Sequence, residues 1–145
     1  TVVSSVGDAI NGDEVEQVNV TVKQAPGAAN IDLSATTVQW TDDSGAYDLT
    51  YLKNPTDGNS IDGSQFNVTA IQENGDDTSL APPNPVLNDP SDRAKLEFDL
   101  DKFRNDGGLP EGSSAELQIN TQSGGNTNLI LNVPQTLSGT SAVNL

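Results

Sequence analysis

Val18, Val20 and Val22 alternate with Asn19, Thr21 and Lys23. This period of two commits the segment to a half-buried β-strand. Ala25-Pro26-Gly27 ends it, because proline offers no ladder donor and glycine tolerates backbone angles that strands do not use. A second strand is expected near Thr37, with Val38 and the only tryptophan, Trp40, on one face. Strand, Pro-Gly break and Trp-bearing strand are the beginning of a sandwich core.

The pattern recurs along the chain. The first of these strands spans Glu14 to Lys23, and Asn30 to Leu33 reads as short and extended. Thr41 to Gly45 is a hairpin turn, after which Tyr47, Leu49 and Tyr51 share a face. Phe66, Val68 and Ala70 form the expected inward face of a further strand. Leu96, Phe98 and Leu100 alternate with Lys95, Glu97, Asp99 and Asp101. One helical turn is expected over residues 101–106, capped by Asp101 and closed by Gly107-Gly108. Ala115–Thr121 and Thr127–Val133 read as a hairpin, with Leu129, Leu131 and Val133 facing one way and Ile130 an apolar exception.

Two segments read differently. Residues 73–92 are proline-rich without periodicity, the mark of a surface connection. Val2, Val3, Val6 and Ile10 fit either a helix tail or a first strand; their spacing of three and four favours reading residues 1–10 as the end of an N-terminal helix, with Gly7 favouring termination there. About seven short strands at near-regular spacing, with no strong helix, predict an all-β fold. The architecture expected is an antiparallel immunoglobulin-like β-sandwich in one domain, residues 1–145.

Twenty-one acidic and six basic residues give a net charge of −15. Such a surface repels nucleic acid and anionic lipid, so neither is an expected partner. No run of apolar residues is long enough to span a membrane. Low hydrophobicity with high charge is also the signature of disorder, but the alternating segments favour a fold. Few lysines and many small side chains (Ala, Val, Thr) suit concentrated salt, where the Debye length falls to about 3 Å at 1 M and repulsion among carboxylates is screened.

Cysteine, histidine and methionine are absent, which removes disulfides, thiol nucleophiles, imidazole bases and soft-metal sites. Carboxylates, hydroxyls and amides remain. Two sequons, Asn19-Val20-Thr21 and Asn67-Val68-Thr69, each place a valine inward and their Asn and Thr toward solvent. They are the candidate glycosylation sites. Asp57, Asn59 and Asp62 loosely resemble a calcium loop but lack its spacing and its distant glutamate. Asp42-Asp43, Asp76-Asp77 and Asp89 with Asp92 fit a cation equally well, and a solvated acidic surface outweighs all of them. No cofactor is expected other than such bound cations.

A glycoside hydrolase needs two carboxylates in an aromatic-lined cleft, yet Trp40, Phe66 and Phe98 stand at core positions. Catalysis is not expected. Arg93, Lys95, Lys102 and Arg104 read as surface charge offsetting Asp99, Asp101 and Asp106, with pairing to an adjoining subunit as the alternative.

Three blocks, VVSSVGDAI, VNVTVKQAPGAANIDLS with the following VQW, and LILNVPQTLSGTSAVNL, resemble the archaellins of halophilic archaea, the filament subunits of the archaeal flagellum. The resemblance implies a subunit in two parts. A hydrophobic N-terminal helix packs in the filament core and an immunoglobulin-like β-sandwich forms the outer sheath, of which this chain is the sheath part. It further implies an extracellular location, partner subunits of the same kind in a helical filament, a role in swimming, and glycans on Asn19 and Asn67. An archaeal pilin, or an S-layer or adhesion module with the same sandwich, is the alternative. The apolar tail, with Leu137, Val143 and Leu145, is expected to fold back along the base of the sandwich near Val2 and Val6.

Screening of the acidic surface predicts a thermal midpoint that rises as KCl goes from millimolar to molar. A scanning-calorimetry series over that range in which the midpoint stays flat or falls refutes the salt adaptation.

Overall fold

A computed structural model of the chain describes residues 2–11, 13–52, 65–73, 80, 84–104, 107–122, 125–137 and 142–145. The alternating segments form strands: β1 (Val2–Asn11), β2 (Glu14–Val22), β3 (Ile31–Asp32), β4 (Thr37–Asp42), β5 (Gly45–Tyr51) and β6 (Gln65–Gln72). After these come β7 (Val86–Leu87), β8 (Arg93–Asp99), the single helical turn α1 (Leu100–Phe103), β9 (Leu109–Pro110), β10 (Ser114–Asn120), β11 (Asn126–Asn132) and β12 (Val143–Asn144).

Ten strands make one curled sheet in the order β11–β10–β4–β5–β6–β8–β2–β1–β12, with β9 attached to β2. Every pairing in it is antiparallel except the joint between β5 and β6, where Thr50 meets Gln65 and Tyr51 meets Phe66. At this joint the sheet doubles over into two facing halves, β11–β10–β4–β5 and β6–β8–β2–β1–β12. Val38, Trp40, Leu117 and Leu131 from the first half and Val18, Val20, Leu96 and Phe98 from the second belong to one buried cluster. The tryptophan ring lies 6.0 Å from Phe98 and 5.3 Å, edge-on, from Phe103.

Residues 2–11 are a strand, not the end of a helix. Ser5 pairs with Val20, Gly7 with Val18 and Ile10 with Val15. The valines read at helical spacing are β-branched, and β2 offers an antiparallel edge that leaves only two residues between Asn11 and Glu14. Gly7 does not terminate a helix. It makes room instead: a Cβ there would stand 2.9 Å from Val15 Cγ1 and within 3.3 Å of methyls of Val143 and Leu145. The tail does fold back as expected. Asn144 and Val143 pair with Val6 and Gly7, the Leu145 amide donates to the Ser5 carbonyl at 3.0 Å, and Leu137 is buried.

Three further expectations are corrected. Ala70 is exposed, because an irregularity between Ala70 and Gln72 breaks the β6–β8 register. The helical turn begins at Leu100, so Asp101 lies in its first turn and does not cap it. The proline-rich connection is more than surface: Leu80 and Leu87 are buried, and β7 pairs with β3.

Trp40 is fully buried and Ile130 is 63% exposed, so two truncations should behave oppositely. In molar salt, Trp40→Ala is expected to cost about 3–5 kcal/mol and Ile130→Thr less than about 0.5 kcal/mol, read from chemical denaturation midpoints.

Candidate functional site

The outer face of the β6–β8–β2 half brings the two sequons together. β2 and β6 each run antiparallel to β8 on opposite sides of it, and hence parallel to one another. Asn19 and Asn67 both stand opposite Glu97, and Thr21 and Thr69 both stand opposite Lys95. The two tripeptides are therefore side by side in the same direction, about 10 Å apart across two strand spacings.

The strand between them supplies an acid and a base. The Lys95 ammonium lies 3.8 Å from Glu97 Oε1, and both side chains keep partial contact with solvent, so the pair adds less than about 1 kcal/mol. The Thr69 hydroxyl donates to Glu97 Oε1, and Gln17 Nε2 donates to Asn19 Oδ1 at 3.4 Å. Asn67 Oδ1 is buried and finds no hydrogen-bond partner among the described residues. Asn19, Thr21 and Asn67 are half-buried and Thr69 is exposed. The sequence placed all four on the polar face. It could not show that one row holds both acceptors, because register across β8 is set by tertiary pairing.

A second polar cluster lies inside the fold. Asp42 closes β4, and Gly45, at φ 141°, opens β5 in a backbone region that favours glycine. The tight turn between them points the Asp42 carboxylate inward. Its Oδ1 accepts from the Ser44 amide at 2.7 Å and the Ser44 hydroxyl at 2.6 Å. Its Oδ2 accepts from Trp40 Nε1 and from Arg104 Nε, each at 2.6 Å. Arg104, just past α1, also donates from Nη1 to the carbonyls of Gly107 and Gly108. Burial pushes the Asp42 carboxyl up, but the hydrogen bonds from Arg104, Ser44 and Trp40 outweigh it and hold its pKa at about 2.

Arg104 is thus no surface charge and needs no adjoining subunit: its side chain is 4% exposed and that of Asp42 1%. The sequence signal that could have found the pair is the run Trp40-Thr41-Asp42 with Asp42 at a hairpin corner, matched by an arginine three residues ahead of two glycines. Lys102 stays exposed, and Arg93 donates to the carbonyls of Pro90 and Asp92. Asp57, Asn59 and Asp62 lie outside the described residues. Among the described residues no group of three or more acidic side chains is placed to hold a metal. At one end of the sandwich, Val22, Leu33, Leu87, Leu96 and Ile119 line an apolar cleft of about 230 Å³, with Lys23 the one charged residue on its wall among the described residues.

The fold defines an acidic all-β sandwich with two sequons aligned on one sheet face. Comparison with known proteins narrows the class. The model of the archaeal-type flagellin family matches residues 1–129, and the chain belongs to that family. It is 37% identical over 144 residues to Flagellin A2 of Halobacterium salinarum, covering 99% of this chain and 68% of that relative. The fold superposes on the crystal structure of archaeal flagellin FlaB1 from Methanocaldococcus jannaschii with a TM-score of 0.82 at 19% identity, covering 99% of this chain and 94% of that one. It also matches the archaeal flagellum of Methanospirillum hungatei strain JF1, with a TM-score of 0.59 at 17% identity over 96% of this chain and 67% of that one. The chain is a structural filament subunit of the archaeal flagellum, an extracellular motility structure.

The depressed Asp42 pKa carries a sign for acid stability. The unfolded carboxyl takes up its proton near 3.8 and the folded one only near 2. The contribution, about 2 kcal/mol, is full above pH 4 and is lost as pH falls from 3.8 toward 2. Asp42→Asn should remove that part of the acid dependence. Asp42→Ala should cost about 3–5 kcal/mol at neutral pH, since it leaves the Arg104 guanidinium buried without its counter-charge. Denaturation midpoints of the three proteins between pH 2 and 7 check both.

Proposed function

We propose that residues 1–145 form a single outer domain of the filament subunit, and that its β6–β8–β2 face looks outward into the surrounding brine. The observation that carries this reading is the shared row Asn19–Glu97–Asn67. With Asn19 and Asn67 as glycan acceptors, two hydrated chains rooted about 10 Å apart exclude close packing of protein against that face. Neighbouring subunits then meet through other surfaces.

In this reading the chain carries no reaction. Its work is to assemble and to transmit force. Support comes from the aromatic inventory: all six rings are engaged in ring-to-ring contacts, which accounts for every side chain able to stack on a sugar in a hydrolase cleft. The acidic exterior keeps filaments apart in dilute solution, while molar salt screens repulsion between neighbouring subunits.

The test is intact mass, amino-terminal sequencing and peptide mapping of the subunit from native filaments. The expected result is an apolar helix-forming segment ahead of Thr1 and added mass on peptides containing Asn19 or Asn67. A native chain that starts near Thr1 and is unmodified overturns the reading.

A further inference from the structure

We propose that both acceptor sites are open only in the unfolded chain, so that glycan attachment has to precede closure of the β2–β8–β6 sheet. This rests on reading Asn19 and Asn67 as acceptors, and it adds an order of events to that reading.

The chemistry sets the requirement. Asparagine Nδ2 attacks the anomeric carbon of a lipid-linked oligosaccharide phosphate. The carbon–oxygen bond to phosphate breaks, the lipid phosphate leaves with the electron pair, and Nδ2 gives up one proton. An amide nitrogen is a poor nucleophile because its lone pair is delocalised into the carbonyl, so an enzyme has to grip the whole side-chain amide and turn it out of conjugation. It also has to reach the hydroxyl two residues on, the feature that defines the sequon.

Neither sequon offers this in the folded protein. β2 is an interior strand: Asn19 is paired with Val6 on one side and Glu97 on the other, and Thr21 with Ser4 and Lys95. Freeing it breaks two ladders at once. On β6, Asn67 and Thr69 are held against Glu97 and Lys95, the Thr69 hydroxyl is already donated to Glu97, and Asn67 Oδ1 is buried. The backbone of each tripeptide is thus held extended in the sheet, with the Thr69 hydroxyl engaged and Asn67 Oδ1 buried. The two sites share β8, so one event, the docking of β8 between β2 and β6, closes both.

The experiment presents three acceptors to a membrane-embedded oligosaccharyltransferase with a lipid-linked oligosaccharide phosphate donor, at one ionic strength. They are the folded 145-residue chain, the same chain carrying Leu96→Asp, and two peptides covering residues 14–24 and 64–74. Leu96 is fully buried on β8, so a carboxylate there is expected to open the sheet between the sequons. Circular dichroism reports the loss of strand, and mass spectrometry reads modification at each asparagine. The peptides and the opened variant should be modified at both sites. The folded chain should react about 1,000-fold more slowly, following the small fraction of open molecules. Modification of either asparagine in the folded chain within about tenfold of the peptide rate overturns the order of events and leaves the acceptor reading standing. Failure of both the peptides and the opened variant to react overturns the acceptor reading, and the proposal with it.

Discussion

A run of aromatic contacts that begins and ends on β5 holds the two halves of the sheet together. From Tyr47 on β5 it passes to Phe103 on α1, to Trp40 on β4, to Phe98 on β8, to Phe66 on β6, and back to β5 at Tyr51. Centroid separations run from 5.3 to 6.2 Å, all tilted or edge-on, the arrangements that ring quadrupoles favour. The run crosses from one half to the other twice, directly at Trp40–Phe98 and through the parallel joint at Tyr51–Phe66. Only a third of this chain is apolar, and the remainder of the core is built mostly from leucine and valine. Five ring contacts at about 0.5–1.5 kcal/mol each, beyond the area they bury, are a large share of what decides how the halves meet.

The polar cluster at Asp42 belongs to the same arrangement. Trp40 Nε1 would be a stranded donor in so apolar a setting, and the carboxylate that satisfies it needs a counter-charge of its own. Arg104 supplies that charge from the end of α1, whose Phe103 meets the tryptophan ring edge-on. Ring, carboxylate and guanidinium thus fix one another. Loss of any one of them leaves a buried partner unsatisfied, whereas Lys95–Glu97 keeps partial contact with water.

Much of this was legible from residue order. The inward sets on β2, β4, β8 and β11 followed from period-two alternation, and Ile130 stood out as the apolar exception on β11. The hairpin at Asp42–Gly45 followed from turn chemistry, and the return of the tail from its apolar composition. Where reading failed, a long-range partner had overruled a local signal. The valines of β1 are spaced for a helix but are taken up by the edge of β2. Leu80 and Leu87 sit among prolines and still fill the core. Arg104 looks like any charged residue after a helical turn until Asp42, 62 positions away, is brought beside it. The shared row of sequons was invisible for the same reason, since no local pattern states which strands lie next to β8.

The first and last strands described are neighbours, and this bears on a subunit of a motility filament. A pull on the leading residues along the axis of β1 loads its backbone bonds to β2 from Ser4 to Asn11 lengthwise and together, with β12 clasping the far edge at Val6 and Gly7. Bonds sheared as a set resist far more tension than bonds peeled one by one. The leading strand is thereby fastened like a lap joint, stiff toward axial tug and weaker toward a sideways lift.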